Sequence, residues 1–315
     1  MFNIIGHRGW WYVLSTLLLL PGILMLATGG LSPSIDFTGG SLLQVRLTKS
    51  TTQMSIRQTV QEAGYPDAVV QTSAEGDALI RIPAIQIDEK AALMEVLRER
   101  YQQVEELGFS SIGPVVGAEL SRAAIIAIVV ASGLILIYMT WAFRHMEHPV
   151  RYGTAALIAL VHDALFVVGL FAILGRTLDI QIDALFVTAV LTVIGFSVND
   201  TIVVFDRIRE NRRQELALPE ASRRSLTDTV NFSVNQSLTR SLNTSFTALL
   251  VLLALLVLGG PTIRTFVLAL TAGFAIGTYS SIFNAACVLV SWEERDLQRV
   301  WRRLSGRLPH RTTAL

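Results

Sequence analysis

An α-helical polytopic membrane protein, with six transmembrane helices and one α+β domain between the first and the second, is the fold class this sequence predicts. Three observations carry the prediction. Hydrophobic residues make up 51% of the 315 and charged residues only 16%, with mean hydropathy +0.50, too apolar for a soluble chain of this length. Six runs are long enough to cross a hydrocarbon core of about 30 Å, which needs roughly 20 residues of helix. One long polar window, residues 31–120, interrupts them and carries the periodicities of strands and helices.

The spans are expected near Trp10–Thr28, Ala123–Phe143, Gly153–Leu174, Ala184–Phe205, Leu242–Leu258 and Thr265–Trp292. The first follows Arg8 and precedes small residues, as a signal peptide would. Its apolar part is too long for one, so it is read as an uncleaved anchor. Arginines crowd alternate flanks: Arg8; Arg144 and Arg151; Arg207, Arg209, Arg212, Arg213, Arg223 and Arg224; then Arg295 onward. The intervening short loops hold only Arg176 and Arg264, which predicts both termini in the cytoplasm. The chain then divides into an N-terminus and first helix (1–30), a periplasmic α+β domain (31–120) and a five-helix bundle (121–292) whose cytoplasmic loop 207–238 is basic. A basic cytoplasmic tail (293–315) follows. The segment Arg207–Arg224 reads as a surface helix held against anionic headgroups. The single cysteine, Cys287, sits in an apolar run, where it packs as a small hydrophobe and allows no intrachain disulfide.

Within the polar window, "SLLQVRL" (41–47) alternates as a strand and "MSIRQTVQEAGY" (54–65) reads as a short amphipathic helix ending at Gly64. "DAVVQTSA" and "ALIRIPAI" are strands joined at "EGD", a hairpin signal. "DEKAALMEVLRERY" is a helix with Asp88 as its N-cap, and a last strand runs from Val104 to Ile112. The order βαββαβ predicts two helices on one face of a four-stranded antiparallel sheet, a ferredoxin-like domain. It holds no cluster of metal-ligating or catalytic side chains, which favours binding or mechanical work.

Asp36, Phe37, Thr38, Gly39 and Gly40, in "SIDFTGG" (34–40), join the first span to the first strand. The two glycines permit positive φ or a close backbone approach, and Asp36 can hydrogen-bond nearby amides. In the last span Gly273 and Gly277 form a GxxxG face suited to close helix contact. The hydroxyl-rich "TRSLNTSFTALL" (239–250) can line a polar path or satisfy neighbouring backbone.

Polar residues inside the spans are the chemical core of the reading. Asp163 follows His162 in the third span, twelve residues from Arg151 and so about 18 Å in. Asp200 follows Asn199 in the fourth, seventeen residues and about 25 Å from Asp183. Arg240 lies eighteen residues before Leu258, at a similar depth on an antiparallel neighbour, so Asp200 and Arg240 can meet. A charged residue at a helix centre costs about 2.5–3.5 kcal/mol, so such a carboxylate is either paired or able to titrate. Static polar fastening of helices is the plainer reading of the same residues. One His beside one Asp, without a second imidazole at i+4, makes packing or hydrogen bonding the role of His162 and predicts no metal site.

Taken together, "SIDFTGG", "VHD" (161–163), "IGFSVNDTIVVFDRIREN" (194–211), "TRSLNTSFTALL", "LGGPTIRTF" (258–266) and "GTYSSIF" (277–283) resemble the SecF branch of the SecD/SecF family, within the resistance-nodulation-division superfamily. The resemblance covers nearly the whole chain in one order, departing at Pro33-Ser34 before "IDFTGG". It implies a multi-pass protein of the bacterial inner membrane that is not an enzyme and has no organic cofactor. Protons serve as the coupling ion. The implied partners are SecD, the SecYEG channel with YajC, the exported preprotein and the bilayer, with no nucleic acid. The family's fourth-span aspartate and fifth-span arginine map onto Asp200 and Arg240. The implied relay alternates Asp200 between protonated and Arg240-paired states, with Asp163 and Asn199 shaping its hydration. A proton-coupled small-molecule transporter half, an intramembrane aspartyl protease with an Asp163–Asp200 dyad, and a scaffold are the competing classes. The absence of an internal duplication and of Gly-x-Gly-Asp surroundings weighs against the first two.

Overall fold

The computed structural model describes residues 2–47, 51–72 and 77–296. The described chain separates into two compact units, one comprising Ser32–Ala127 with Gln181–Ala184 and the other the remaining helices. The far end of the predicted basic tail, from residue 297, and most of the "EGD" turn lie outside the described residues.

In the first unit, strands β1 (Gly40–Leu47), β2 (Val69–Thr72), β3 (Asp77–Ile82) and β4 (Val104–Ile112) form one antiparallel sheet in the order β2-β3-β1-β4. Two helices, α3 (Gln53–Glu62) and α4 (Ile87–Tyr101), complete the βαββαβ order, preceded by a single helical turn, α2 (Ile35–Thr38). Leu43, Val45, Ile80 and Ile82 alternate inward and meet Ile56 and Val60 of α3 and Leu93 and Leu97 of α4 in one core. The N-cap of α4 is Gln86 rather than Asp88. Its side chain and that of Glu89 form a reciprocal capping box, which moves the helix start upstream and leaves Asp88 in the first turn.

The "SIDFTGG" segment is built as a junction. Ser34 caps α2 by accepting from the Asp36 amide at 3.2 Å. Gly39 ends the turn at φ +73°, where a Cβ would lie 2.7 Å from Pro114 Cα, so both the conformation and the close approach require glycine. Gly40, at φ +125°, begins β1 beneath the Ile82 carbonyl. Pro33 forms an isolated parallel bridge with Ile182, and the Asp36 carboxylate accepts from the Ala184 amide at 2.9 Å. Residues 181–184 thereby join this unit although they lie far along the chain.

The second unit is helical. Six helical stretches of the chain are long and apolar enough to cross a bilayer: Ile5–Gly29, Pro114–Ala142, Pro149–Leu178, Ala184–Leu216, Leu226–Leu258 and Ile263–Glu293. They contain α1 (Arg8–Gly29), α5 (Pro114–Ala142), α6 (Pro149–Leu178), α7 (Ala184–Leu216), α8 (Leu226–Leu258) and the last stretch, in which α9 (Pro261–Tyr279) passes through a π-helical segment (Ser280–Asn284) into α10 (Ala285–Glu293). Several outrun the predicted spans. α7 continues eleven residues past Phe205, and α8 starts sixteen residues before Leu242, so much of the predicted loop 207–238 is helix. The surface helix expected over Arg207–Arg224 is instead the end of α7 followed by a short turn. Asn211 ties the two extensions together, donating to Ser233 Oγ and Gln236 Oε1 at 2.9 Å each.

Backbones approach closely where glycines face each other. A Cβ on Gly22 of α1 would lie 2.7 Å from Gly169 Cα of α6, so these two helices touch without intervening side chains. Gly273 of α9 packs on Val193 of α7, and Gly277 lies over Ser197.

Candidate functional site: a buried carboxylate cluster

Asp163 sits at the middle of α6, fourteen residues from one end and fifteen from the other, about 22 Å along the helix either way. Asp200 is sixteen residues, about 24 Å, from the start of α7. Asp163 is fully buried and Asp200 is 4% exposed, so neither faces lipid.

Hydroxyl groups supply their partners. Ser197 and Ser280 both donate to Asp163 Oδ2, the latter at 2.6 Å, while His162 Nδ1 lies 2.9 Å from Asp163 Oδ1. Ser281 donates to Asp200 Oδ2 at 3.0 Å. Ser241 of α8 lies beside the Asp200 carboxyl group but outside hydrogen-bonding geometry, and its buried Oγ has no partner among the described residues. Successive residues of the π segment thus serve carboxyl groups on two different helices. Ser197 and Asp200, three apart on α7, share the face that receives them. π turns of this kind concentrate at functional sites because the surplus residue redirects side chains out of the regular helical pattern.

A serine hydroxyl donates to a carboxylate and can equally accept from a carboxylic acid by rotating its O–H. The cluster therefore accommodates either protonation state of Asp163 or Asp200 without repacking. An arginine partner would favour the charged state alone.

The structure brings Asp163 and Asp200 into one hydroxyl-linked cluster, with Gly277 directly above it: a Cβ there would lie 3.4 Å from Ser197 Cβ and 3.7 Å from Asp163 Oδ2. It does not bring Arg240 onto Asp200. Arg240 is exposed on α8 and, among the described residues, makes no ion pair. It borders a cavity of about 390 Å³ together with Asp206, Arg207, Glu210 and Gln236. Asn199, one residue and 100° round from Asp200, is exposed on α7 rather than turned into the cluster. His162 hydrogen-bonds its own chain neighbour, in keeping with a polar partner rather than a metal ligand. Sequence reasoning assigned no role to Ser197, Ser280 or Ser281. The only signal was the pair of adjacent serines inside an apolar span.

The fold and this cluster define a polytopic membrane protein with carboxyl groups buried between its helices and a small α+β domain of split-βαβ order. The comparisons then narrow the class: the chain belongs to the SecD/SecF family of protein-export membrane proteins. Residues 92–295 match the family described as protein export membrane protein SecD/SecF, C-terminal, and residues 24–51 match the SecD/SecF GG motif. The chain is 47% identical to a protein translocase subunit SecF of Thermobaculum terrenum, covering 96% of this chain and 98% of that one. It is 40% identical to a SecF of Anaerolinea thermophila, with the same coverage. Among solved structures, SecDF of Thermus thermophilus, described as a translocon-associated membrane protein, superposes with a TM-score of 0.81 at 34% identity, over 93% of this chain and 39% of that one. The chain therefore spans about two-fifths of that longer protein.

Proposed function

We propose that this chain is a SecF-type accessory subunit of the bacterial Sec translocase which, with SecD, uses the proton motive force to assist the late stage of protein export. Export as the task rests on family membership. Proton coupling rests on one observation, the pair of buried carboxyl groups held by hydroxyls that serve both protonation states. An elementary charge crossing 100 mV releases about 2.3 kcal/mol, comparable with the cost of about 2.5–3.5 kcal/mol for an ionised Asp at a helix centre. Such a group is suited to be driven between states by the membrane potential.

Protonated Asp200 rests on Ser281. Its ionised form draws on Arg240 when α8 turns that side chain inward, and Asp163 holds a second exchangeable proton. Exposed Asn199 and Arg240 are costly against lipid, so a partner helix covers that face of α7 and α8. SecD is the partner of choice because the Thermus thermophilus relative joins both names in one chain of which this chain covers 39%. The SecYEG channel, YajC and the exported preprotein complete the assembly at the inner membrane, with both termini of this chain in the cytoplasm. No covalent step or organic cofactor is required.

The test is proton flux and preprotein export in vesicles containing SecD, comparing wild type with Asp200→Asn and Arg240→Met. Both variants should lose most of the flux, and wild-type flux in both would remove the relay.

A further inference from the structure

His162 has one ring nitrogen engaged and one left over. Nδ1 faces Asp163, whereas Nε2 is buried with no partner among the described residues, on a residue only 8% exposed. An unpartnered buried imidazole nitrogen is costly unless water reaches it. His162 also lines a cavity of about 190 Å³ between α1, α6 and α10, which Asp163 does not border. Ser15, Asn284, Thr16 and Tyr12 add polar lining, and Ser15 and Asn284 hydrogen-bond each other across it at 2.7–3.0 Å. At about 30 Å³ per water, the space holds roughly six molecules, with enough polar partners to keep them.

This cavity is not closed at its far end. Tyr12, Ile158 and Val288 also line a second, larger one of about 750 Å³, which continues to Arg151, Ser291 and Arg295 at the end of the bundle where α6 begins and α10 stops. Along α6, the distance from Arg151 to His162 is eleven residues, about 17 Å. The two cavities make one passage from the basic end of the bundle to the free edge of the imidazole.

We propose that this passage is a water-filled proton inlet serving the His162–Asp163 pair, on the opposite flank of α6 and α7 from Arg240. A water-borne proton binds Nε2 and the Nδ1 proton moves to Asp163 Oδ1, leaving a neutral imidazole in its other tautomer and a neutral carboxylic acid. One proton is gained and no other reactant is needed. The ionisable groups around the ring are Asp163 on α6, Tyr12 on α1, Tyr279 on α9 with its ring 6.2 Å from the imidazole, and Cys287 on α10; Asp200 on α7 lies beyond Ser281. Arg151, Arg295 and Glu293, the last paired with Arg151, stand at the mouth. The inlet's purpose rests on the proton-coupled reading above, but its geometry does not.

The experiment uses the full chain with SecD in vesicles, in a Cys287→Ala background. Val288→Cys and Thr16→Cys, inside the passage, are challenged from the Arg151 side with a charged thiosulfonate that reacts only with hydrated thiols. Leu17→Cys, on the exposed apolar face of α1, is the control. Labelling of the passage cysteines at least tenfold faster than the control supports the inlet. Equal, slow labelling shows a dry or lipid-filled groove and overturns it. In parallel, His162→Gln keeps a hydrogen-bonding side chain but cannot carry a proton, and unchanged Val288→Cys labelling in it verifies the fold. Flux should fall at least tenfold. If His162→Gln keeps wild-type flux while Asp200→Asn loses it, the inlet alone fails; if both keep it, proton coupling itself fails.

Discussion

Replacing Gly273 by alanine measures how tightly α7 and α9 close over the carboxylate cluster. A Cβ at this position would lie 2.1 Å from Val193 Cγ2, 2.8 Å from Cγ1 and 3.0 Å from Cβ. Valine in a helix holds one χ1 rotamer about 90% of the time, so turning its methyls aside costs about 1 kcal/mol. That rotation leaves the Cβ–Cβ contact at 3.0 Å untouched, so the helices must also separate by a few tenths of an ångström. Overpacking of this kind costs about 1–3 kcal/mol. Gly277→Ala, one turn on, has no contact shorter than 3.4 Å and should cost little. Val193→Ala removes both clashing methyls, so in a double-mutant cycle it should recover about 1–2 kcal/mol of the Gly273→Ala loss. Thermal unfolding of the purified chain in detergent reads all four proteins, with Gly273→Ala melting several degrees below Gly277→Ala. Equal midpoints for those two, or no recovery with Val193→Ala, would refute the packing argument.

Two further outcomes concern the junction before β1. Asp36→Ala removes the acceptor for the Ala184 amide at the start of α7 and should cost about 1 kcal/mol in the same melting assay, with Asp36→Asn losing less because it keeps a carbonyl acceptor. Gly39→Ala and Gly30→Ala both place alanine at positive φ, at +73° and +68°, which alone costs about 1–2 kcal/mol. Only at Gly39 does the new methyl also meet backbone, 2.7 Å from Pro114 Cα, so limited proteolysis should show Gly39→Ala to be clearly the less folded of the two.

The spans were legible because lipid solvation leaves an unmistakable apolar run, and the sheet was legible because one buried face forces alternation. Helix ends were not. α8 begins at Leu226, in a polar stretch without a hydropathy signal, where Asn231 accepts from the amides of Ile4 and Ile5 at 2.8 and 3.1 Å, a contact 226 and more residues away in sequence. Asp163 and Asp200 stood out as carboxyl groups where an apolar run allows none. Counting residues fixed their depth. Rotation about the helix axis is another matter, since it depends on tilt and packing, and that is why equal depth did not bring Arg240 onto Asp200. Serines are quieter still. A hydroxyl in a membrane helix ordinarily satisfies its own backbone, as Thr271 and Thr278 do here, and only the π turn sends Ser280 and Ser281 to the carboxyl groups.

Residues 181–184 belong to the α+β unit, yet 53 positions separate Gln181 from that unit's last contiguous residue, Ala127. Anyone excising that unit between Ser32 and Ala127 for separate study would discard the strand that Pro33 pairs with and the amide that Asp36 holds. The excised piece would start with raw edges that the intact chain never exposes. A short peptide spanning the turn between the third and fourth spans, supplied in trans or spliced on, is the missing hem.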